Sequence, residues 1–394
     1  MSRRDFSIIF LLFLLVVGLC GCSMKTLIAR TMEGTLKDMS KSFEQEPSVD
    51  HAREAAPTLL KFLEGIILAD PYNENLLLMG AKMHAGFAVL FMDEENPLWA
   101  KILFKKGYRY ARNSLDYEEL NKILDTGNSK KLERLLVEEY DSDYTPHFFW
   151  LADCLAGIIS KSKEDTSTVA KLACVEVILR TIIERWKRGD FYHGGPHVVL
   201  GSLKGRRFGG NLRESYKQFQ EAIKIARGKF LMHYVLLAKY YAANADCWAC
   251  HNHNRARVEG CAYCKSGWKE WQGPRSRECS ACKGSGMVGG KECGSCGGYG
   301  YFYCKRCKGT GLELALYRES LEKVLQAPED IDPSQMLANM VAKRRARRML
   351  ENISRTFTFP KKASEDPLRR QRKITPAEEE ETLKELEGVE EGEE

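Results

Sequence analysis

The chain has 394 residues, 44% of them hydrophobic, a formal net charge of +6 and 14 cysteines. That length allows two or three domains and a substantial core. The basic excess sits in late runs (Arg344, Arg345, Arg347, Arg348, then Arg369, Arg370, Arg372, Lys373) ahead of a glutamate-rich end. With little interleaving of basic and aromatic residues, it argues against a nucleic-acid groove and reads as a solvated helix face followed by a tail.

In chain order, residues 1–21 carry Arg3 and Arg4 and then an apolar run from Phe6 to Leu19. The run is too short to span a membrane comfortably and suits a secretory signal. Leu19-Cys20-Gly21-Cys22 resembles a bacterial lipobox, with Cys22 the cysteine to be acylated. Ser23 then resembles an outer-membrane address.

From Met24 to Tyr241 apolar residues recur at intervals of three and four, and the spacing predicts helices throughout. Expected helices run from Ala52 to Leu68, from Asn75 to Phe91 and from Pro97 onward. Pro146 opens another through Phe148, Trp150, Cys154 and Ile158; others are Thr168–Trp186, a short one from Gly195-Pro196, and one capped by Asn211. Ala100, Phe104 and Gly107, and again Ser215, Phe219 and Ala222, place small, large and small side chains one turn apart. That pattern lets paired helices approach closely around one aromatic. Two occurrences suggest repeated hairpins of tetratricopeptide type, although the strict consensus is missing. Phe230–Ala245 is apolar on one side. After Gly311 helical spacing resumes from Glu313 to Leu325, and Asp332-Pro333 starts a last helix to about Ile353. Residues 356–394 read as a disordered charged tail. Cys154 and Cys174 read as small buried hydrophobes, and Phe148, Phe149 and Trp150 as core. Tyr192, His193 and His197 flank Gly194-Gly195-Pro196, where turn chemistry explains the glycines. An anion resting at the helix start is the sharper alternative.

Residues 247–311 interrupt this pattern with ten cysteines in five Cys-x-x-Cys pairs: Cys247/Cys250, Cys261/Cys264, Cys279/Cys282, Cys293/Cys296 and Cys304/Cys307. The last three continue as Cys-x-x-Cys-x-Gly-x-Gly. Two intervening residues let both sulfurs of a tight turn face one tetrahedral ion. The glycines permit the positive φ needed to reverse the chain around it. Four thiolates per ion give two Zn2+ sites, with room for a third if His251 or His253 completes the Cys247/Cys250 pair. Disulfides are the alternative in an oxidising compartment. Cys247-Trp-Ala-Cys250-His251 is also a formal c-type haem attachment string.

Several stretches together resemble the TRAP-transporter T-component (TatT) family: the lipobox, NPLWAKILFKKGYRYA, TPHFFWLADCLAGII, the segment from Phe191 to Ala242, and MLANMVAKRRARRMLENI. The resemblance implies a periplasmic lipoprotein of tetratricopeptide-like hairpins. It also implies docking of a transporter's solute-binding protein, and trimeric assembly. The cysteine insert departs from that pattern. It resembles the zinc module of DnaJ-type co-chaperones, whose nesting would pair Cys261/Cys264 with Cys304/Cys307 and Cys279/Cys282 with Cys293/Cys296. No His-Pro-Asp tripeptide occurs, so coupling to an ATP-driven chaperone is not expected.

The expected fold is therefore all-α. A helical domain covers residues 22–246 and 312–355, and a zinc-binding insert covers 247–311. The expected function is that of a membrane-anchored accessory protein, not an enzyme and not a nucleic-acid binder. A periplasmic holdase or thiol-exchange factor, and electron transfer through haem, are the alternatives.

Overall fold

The computed structural model describes residues 24–162, 164–205, 210–247, 276–303, 306–308, 310, 312–360 and 362. The signal segment with Cys22 lies outside these, and so does nearly all of the charged tail. The fold is all-α with very little strand. The chain divides into two compact units, residues 1–236 with 323–346 and residues 237–322 with 347–394.

In the first unit the helices are α1 (Met24–Glu44), α2 (Val49–Ala69), α3 (Glu74–Phe87), α4 (Pro97–Leu115), α5 (Glu118–Thr126), α6 (Ser129–Glu138), α7 (Thr145–Ser160), α8 (Thr166–Ala170), α9 (Leu172–Arg180), α10 (Phe191–Leu203), α11 (Leu212–Ile225) and α12 (Met232–Leu236). Side-chain caps fix the starts. Ser48, Asn73, Asn96, Asn128 and Asn211 each accept an orphan backbone N–H of the first turn. The α3 stretch Glu74–Met92 is long and apolar enough to cross a membrane. It is instead a core helix, with Leu76, Leu77, Ala81, Ala85 and Phe87 buried.

The small–large–small expectation holds in detail. Ala100, Phe104 and Gly107 are all buried on α4. A Cβ on Gly107 would lie 2.7 Å from Cys154 Sγ of α7, and a Cβ on Gly157 of α7 would lie 2.5 Å from the Phe104 ring. The two helices thus interlock, each presenting a glycine notch to the other's side chain. Ser215, Phe219 and Ala222 of α11 repeat the device against α10, where a Cβ on Gly201 would meet Phe219 at 3.3 Å. Phe148, Phe149 and Trp150 are core, and Cys154 and Cys174 are buried free thiols.

Three expectations need correcting. The single helix over Thr168–Trp186 is two helices, interrupted at Lys171 and finishing in a π-helical turn, Thr181–Arg185. The helix from Gly195 instead follows three consecutive left-handed residues, Tyr192, His193 and Gly194, so a kink precedes Pro196. The Arg344–Arg348 run is not simply a solvated face. Arg345 is 5% exposed and donates to the Val89 and Leu90 carbonyls. There α3 widens into a π-helical turn, Ala88–Met92, and carbonyls freed from α-helical bonding need a donor. Asn339 acts similarly: fully buried, it accepts from the Leu231 N–H at 2.8 Å and donates to the Lys229 carbonyl at 3.0 Å.

In the second unit a π-helical turn, Leu237–Ala242, leads to an antiparallel bridge between Asp246 and Leu312, backed by Glu313 N–H donating to Ala245 O at 3.0 Å. Helix α13 (Leu314–Gln326) buries Leu314, Tyr317 and Leu321, and the Tyr317 ring packs edge-on against Phe357 with centroids 5.0 Å apart. Helix α14 (Met336–Glu351), most of which belongs to the first unit, follows a 3-10 turn in which Asp332 caps Ser334, as expected of Asp332-Pro333.

Candidate metal centre

Between the two sides of that bridge lie four short strands: β1 (Ser276–Glu278), β2 (Met287–Val288), β3 (Lys291–Glu292) and β4 (Tyr301–Tyr303). β1 pairs with β4 and β2 with β3, both antiparallel. The β2–β3 turn is Gly289-Gly290, both at positive φ, as a two-residue hairpin demands. Two-residue ladders carry almost no burial of their own. Something else must hold this segment together.

The knuckles supply it. After each second cysteine the chain turns left-handed, at Lys283, Gly297 and Lys308. The x-Gly-x-Gly tails follow at positive φ: Gly284 and Gly286, then Gly298 and Gly300. The sequence repeat is therefore a conformational repeat, and Lys283 and Lys308 adopt the turn despite their side chains. The reversal points amides back at sulfur, so that Gly300 N–H donates to Cys296 Sγ at 3.2 Å. Backbone bonds tie the knuckles to each other, Cys279 N–H to Gly300 O and Cys293 N–H to Gly286 O, both at 2.8 Å.

Cys279, Cys282, Cys293 and Cys296 are all buried, and their four sulfurs lie within 4.8 Å of one another. Two close sulfur contacts run across the knuckles, Cys279 to Cys293 at 3.9 Å and Cys282 to Cys296 at 3.6 Å. A tetrahedron with Zn–S bonds of about 2.3 Å has edges of about 3.8 Å. The cluster therefore has the size and donor set for one tetrahedral ion that takes soft ligands. Amide hydrogen bonds from Cys296 and Ser295 lower the Cys293 thiol below its usual range, while burial raises Cys296. Without a cation the site can ionise only in part.

Among the other sequence-predicted ligands, Cys247 and Cys307 are described, and both are buried. Cys247 is the residue after the bridge partner Asp246 and lies within electrostatic reach of Arg306, whose guanidinium is held by Glu313 at 2.7 Å. Cys250, His251, His253, Cys261, Cys264 and Cys304 lie outside the described residues, as does the lipidation candidate Cys22.

The Tyr192–Gly194 turn packs among the helices, as turn chemistry expects of its glycine. His193 stacks on Phe230 with centroids 5.0 Å apart, and His197 Nδ1 meets Gln218 Oε1 at 2.6 Å. Two interior groups missed by sequence reasoning titrate abnormally. His233 is 2% exposed, and burial pushes its imidazole down to about 3. Asp153, half-buried and beside Asp93, is pushed up to about 7 by desolvation.

Their linkages oppose each other. Between pH 3 and 6.5 the unfolded chain protonates His233 and the native chain does not, so this contribution rises with pH and is complete above 6.5. Between pH 3.8 and 7 the native chain keeps the Asp153 proton and the unfolded chain loses it, so that contribution falls as pH rises. Denaturation curves at pH 4.5 and 7 should therefore separate the single variants. Stability should fall with pH in His233→Gln relative to Asp153→Asn, with a gap on the order of 5 kcal/mol, the two opposite changes adding. Identical slopes would show that neither group is perturbed.

The sequence profile of the TRAP transporter T-component family matches residues 45–258 and 298–357. No curated protein matches the chain. The interval between the matched stretches holds the four clustered cysteines, and the two stretches together carry most of the helices. They cover well over half of the sequence, and the chain belongs to the TRAP transporter T-component family, a transport accessory family and not one of enzymes.

Proposed function

We propose that this protein is a periplasmic scaffold of a TRAP transporter, held to the outer membrane by an acylated Cys22. In this reading the helical array docks the transporter's solute-binding protein. The cysteine insert carries structural zinc and extends the docking surface. Cys279, Cys282, Cys293 and Cys296 hold one ion and Cys261/Cys264 with Cys304/Cys307 a second, with room for a third if His251 or His253 completes the Cys247/Cys250 pair. Trimeric assembly accompanies the family reading.

One observation carries it: the family match covers residues 45–258 and 298–357, and its single interruption falls within the insert, so the helices before and after the insert belong to one family pattern. Arrays of paired helices present extended surfaces suited to holding another protein. The zinc part is supported by the near-tetrahedral spacing of sulfurs from two different knuckles. A thiol-exchange role would need reactive, partly exposed sulfurs. These four are buried.

Affinity capture of the full acylated chain from solubilised membranes tests the docking. Recovery of a solute-binding protein of this transporter class is the expected result. Recovery of no transporter component, in the presence of an expressed transporter, overturns it.

A further inference from the structure

Helix α1 starts at Met24, two residues after Cys22. Its first turns are pinned to the end of α2. Thr26 Oγ1 donates to Ala69 O at 3.3 Å, Arg30 Nε to Asp70 Oδ2 at 3.1 Å, and Asn73 Nδ2 to Glu33 Oε2 at 3.5 Å. Met24, Leu27 and Ile28 on one side of this corner, and Leu68 and Tyr72 on the other, are half or more exposed. Tyr72 at 85% and Leu68 at 81% are the most exposed large apolar side chains among the described residues.

Charge among the protruding side chains is sparse. Residues 24–32 and 65–73 contain a single acidic group, Asp70. It is 6% exposed and held by Arg30. Lys25 is exposed. Protruding aliphatic side chains and a tyrosine beside an exposed lysine form a combination that suits the boundary between lipid headgroups and acyl chains, with the half-buried Glu33 and the exposed Glu74 at its edge.

We infer that this corner is a membrane-resting surface, with Met24, Leu27, Ile28, Leu68 and Tyr72 entering the headgroup layer of an anionic phospholipid bilayer. The inference rests on the anchor reading for what brings the corner there. Whatever path the chain takes, two residues span at most about 7 Å. An acylated Cys22 would hold this corner, and not another part of the unit, against the bilayer. The anchor and the corner then act as two weak signals on one surface, which fixes the orientation of the helical array as well as its attachment.

The test uses the mature chain with Cys22→Ala, so that no acyl chain contributes, floated with vesicles of phosphatidylethanolamine and phosphatidylglycerol. It is expected to float, and more weakly with neutral phosphatidylcholine. Leu27→Ser, Leu68→Ser and Tyr72→Ser combined should weaken binding about tenfold. Leu98→Ser with Ile102→Ser, an exposed pair on α4, should leave it unchanged. Failure to float, or equal loss in both variants, overturns the inference. So does a triple variant that changes the chain's oligomeric mass while binding vesicles as before, because the corner would then be a contact between copies. Labelled palmitate incorporation with and without Cys22→Ala tests the anchor separately. Its failure would remove the anchor and leave the vesicle result standing.

Discussion

Cys279→Ser with Cys296→Ser should release one equivalent of zinc and unfold residues 276–303, while the helices keep their far-ultraviolet signal. The ladders in this segment are two and three residues long, and among its described residues the buried cluster is the four sulfurs. Segments this small do not fold on backbone pairing alone. A structural zinc site contributes on the order of 10–16 kcal/mol of apparent binding energy at neutral pH, and most of it is folding energy. Removing one ligand from each knuckle destroys the tetrahedron from both sides. Elemental analysis and a thiol count should register the lost ion. Trypsin should then cut first near Lys283 and Lys291, and the helical core should resist. A variant that keeps both its metal content and its protease resistance would show that the four sulfurs hold no ion.

Gly157→Ala should cost about 3 kcal/mol in urea denaturation, the top of the range for overpacking. A methyl there would stand 2.5–2.6 Å from three atoms of the buried Phe104 ring. The ring has nowhere to go, because α4 is pressed against α7 at Gly107 and Cys154 as well. Gly65→Ala on α2 is the matched control. Nothing lies within 4 Å of its added Cβ, so helix propensity should make that change stabilising by about 0.5–1 kcal/mol. Combining Gly157→Ala with Phe104→Leu should recover part of the loss, with a coupling of about 1 kcal/mol. If Gly157→Ala proves as harmless as Gly65→Ala, the α4–α7 notch is not the close crossing described above.

The helical part was largely legible because its signals are local. A cap such as Asn211 acts within one turn, and a spacing of four such as Ala100–Phe104 stays on one face whatever the neighbours are. The same holds for the knuckles: residue identity within eight positions set the left-handed turns at Gly284, Gly286, Gly298 and Gly300. The misses came where a distant partner decides. Arg345 reads as one more cation in a basic run, and only the π-helical widening after α3 gives it two carbonyls to satisfy. His233 and Asp153 carry no mark of their environment in their neighbours along the chain.

Composition and spacing alone determined that this chain is helical and that the described Cys-x-x-Cys-x-Gly-x-Gly repeats form repeated left-handed turns, because each depends on residues within reach of one turn. The pairing of Cys279/Cys282 with Cys293/Cys296 was implied only by a resemblance; the tertiary structure is what brings those four sulfurs together, and it alone opens an apolar corner beside the start of α1. Those outcomes depend on which segments the fold brings together across tens of residues, and single-sequence periodicity carries no information at that range.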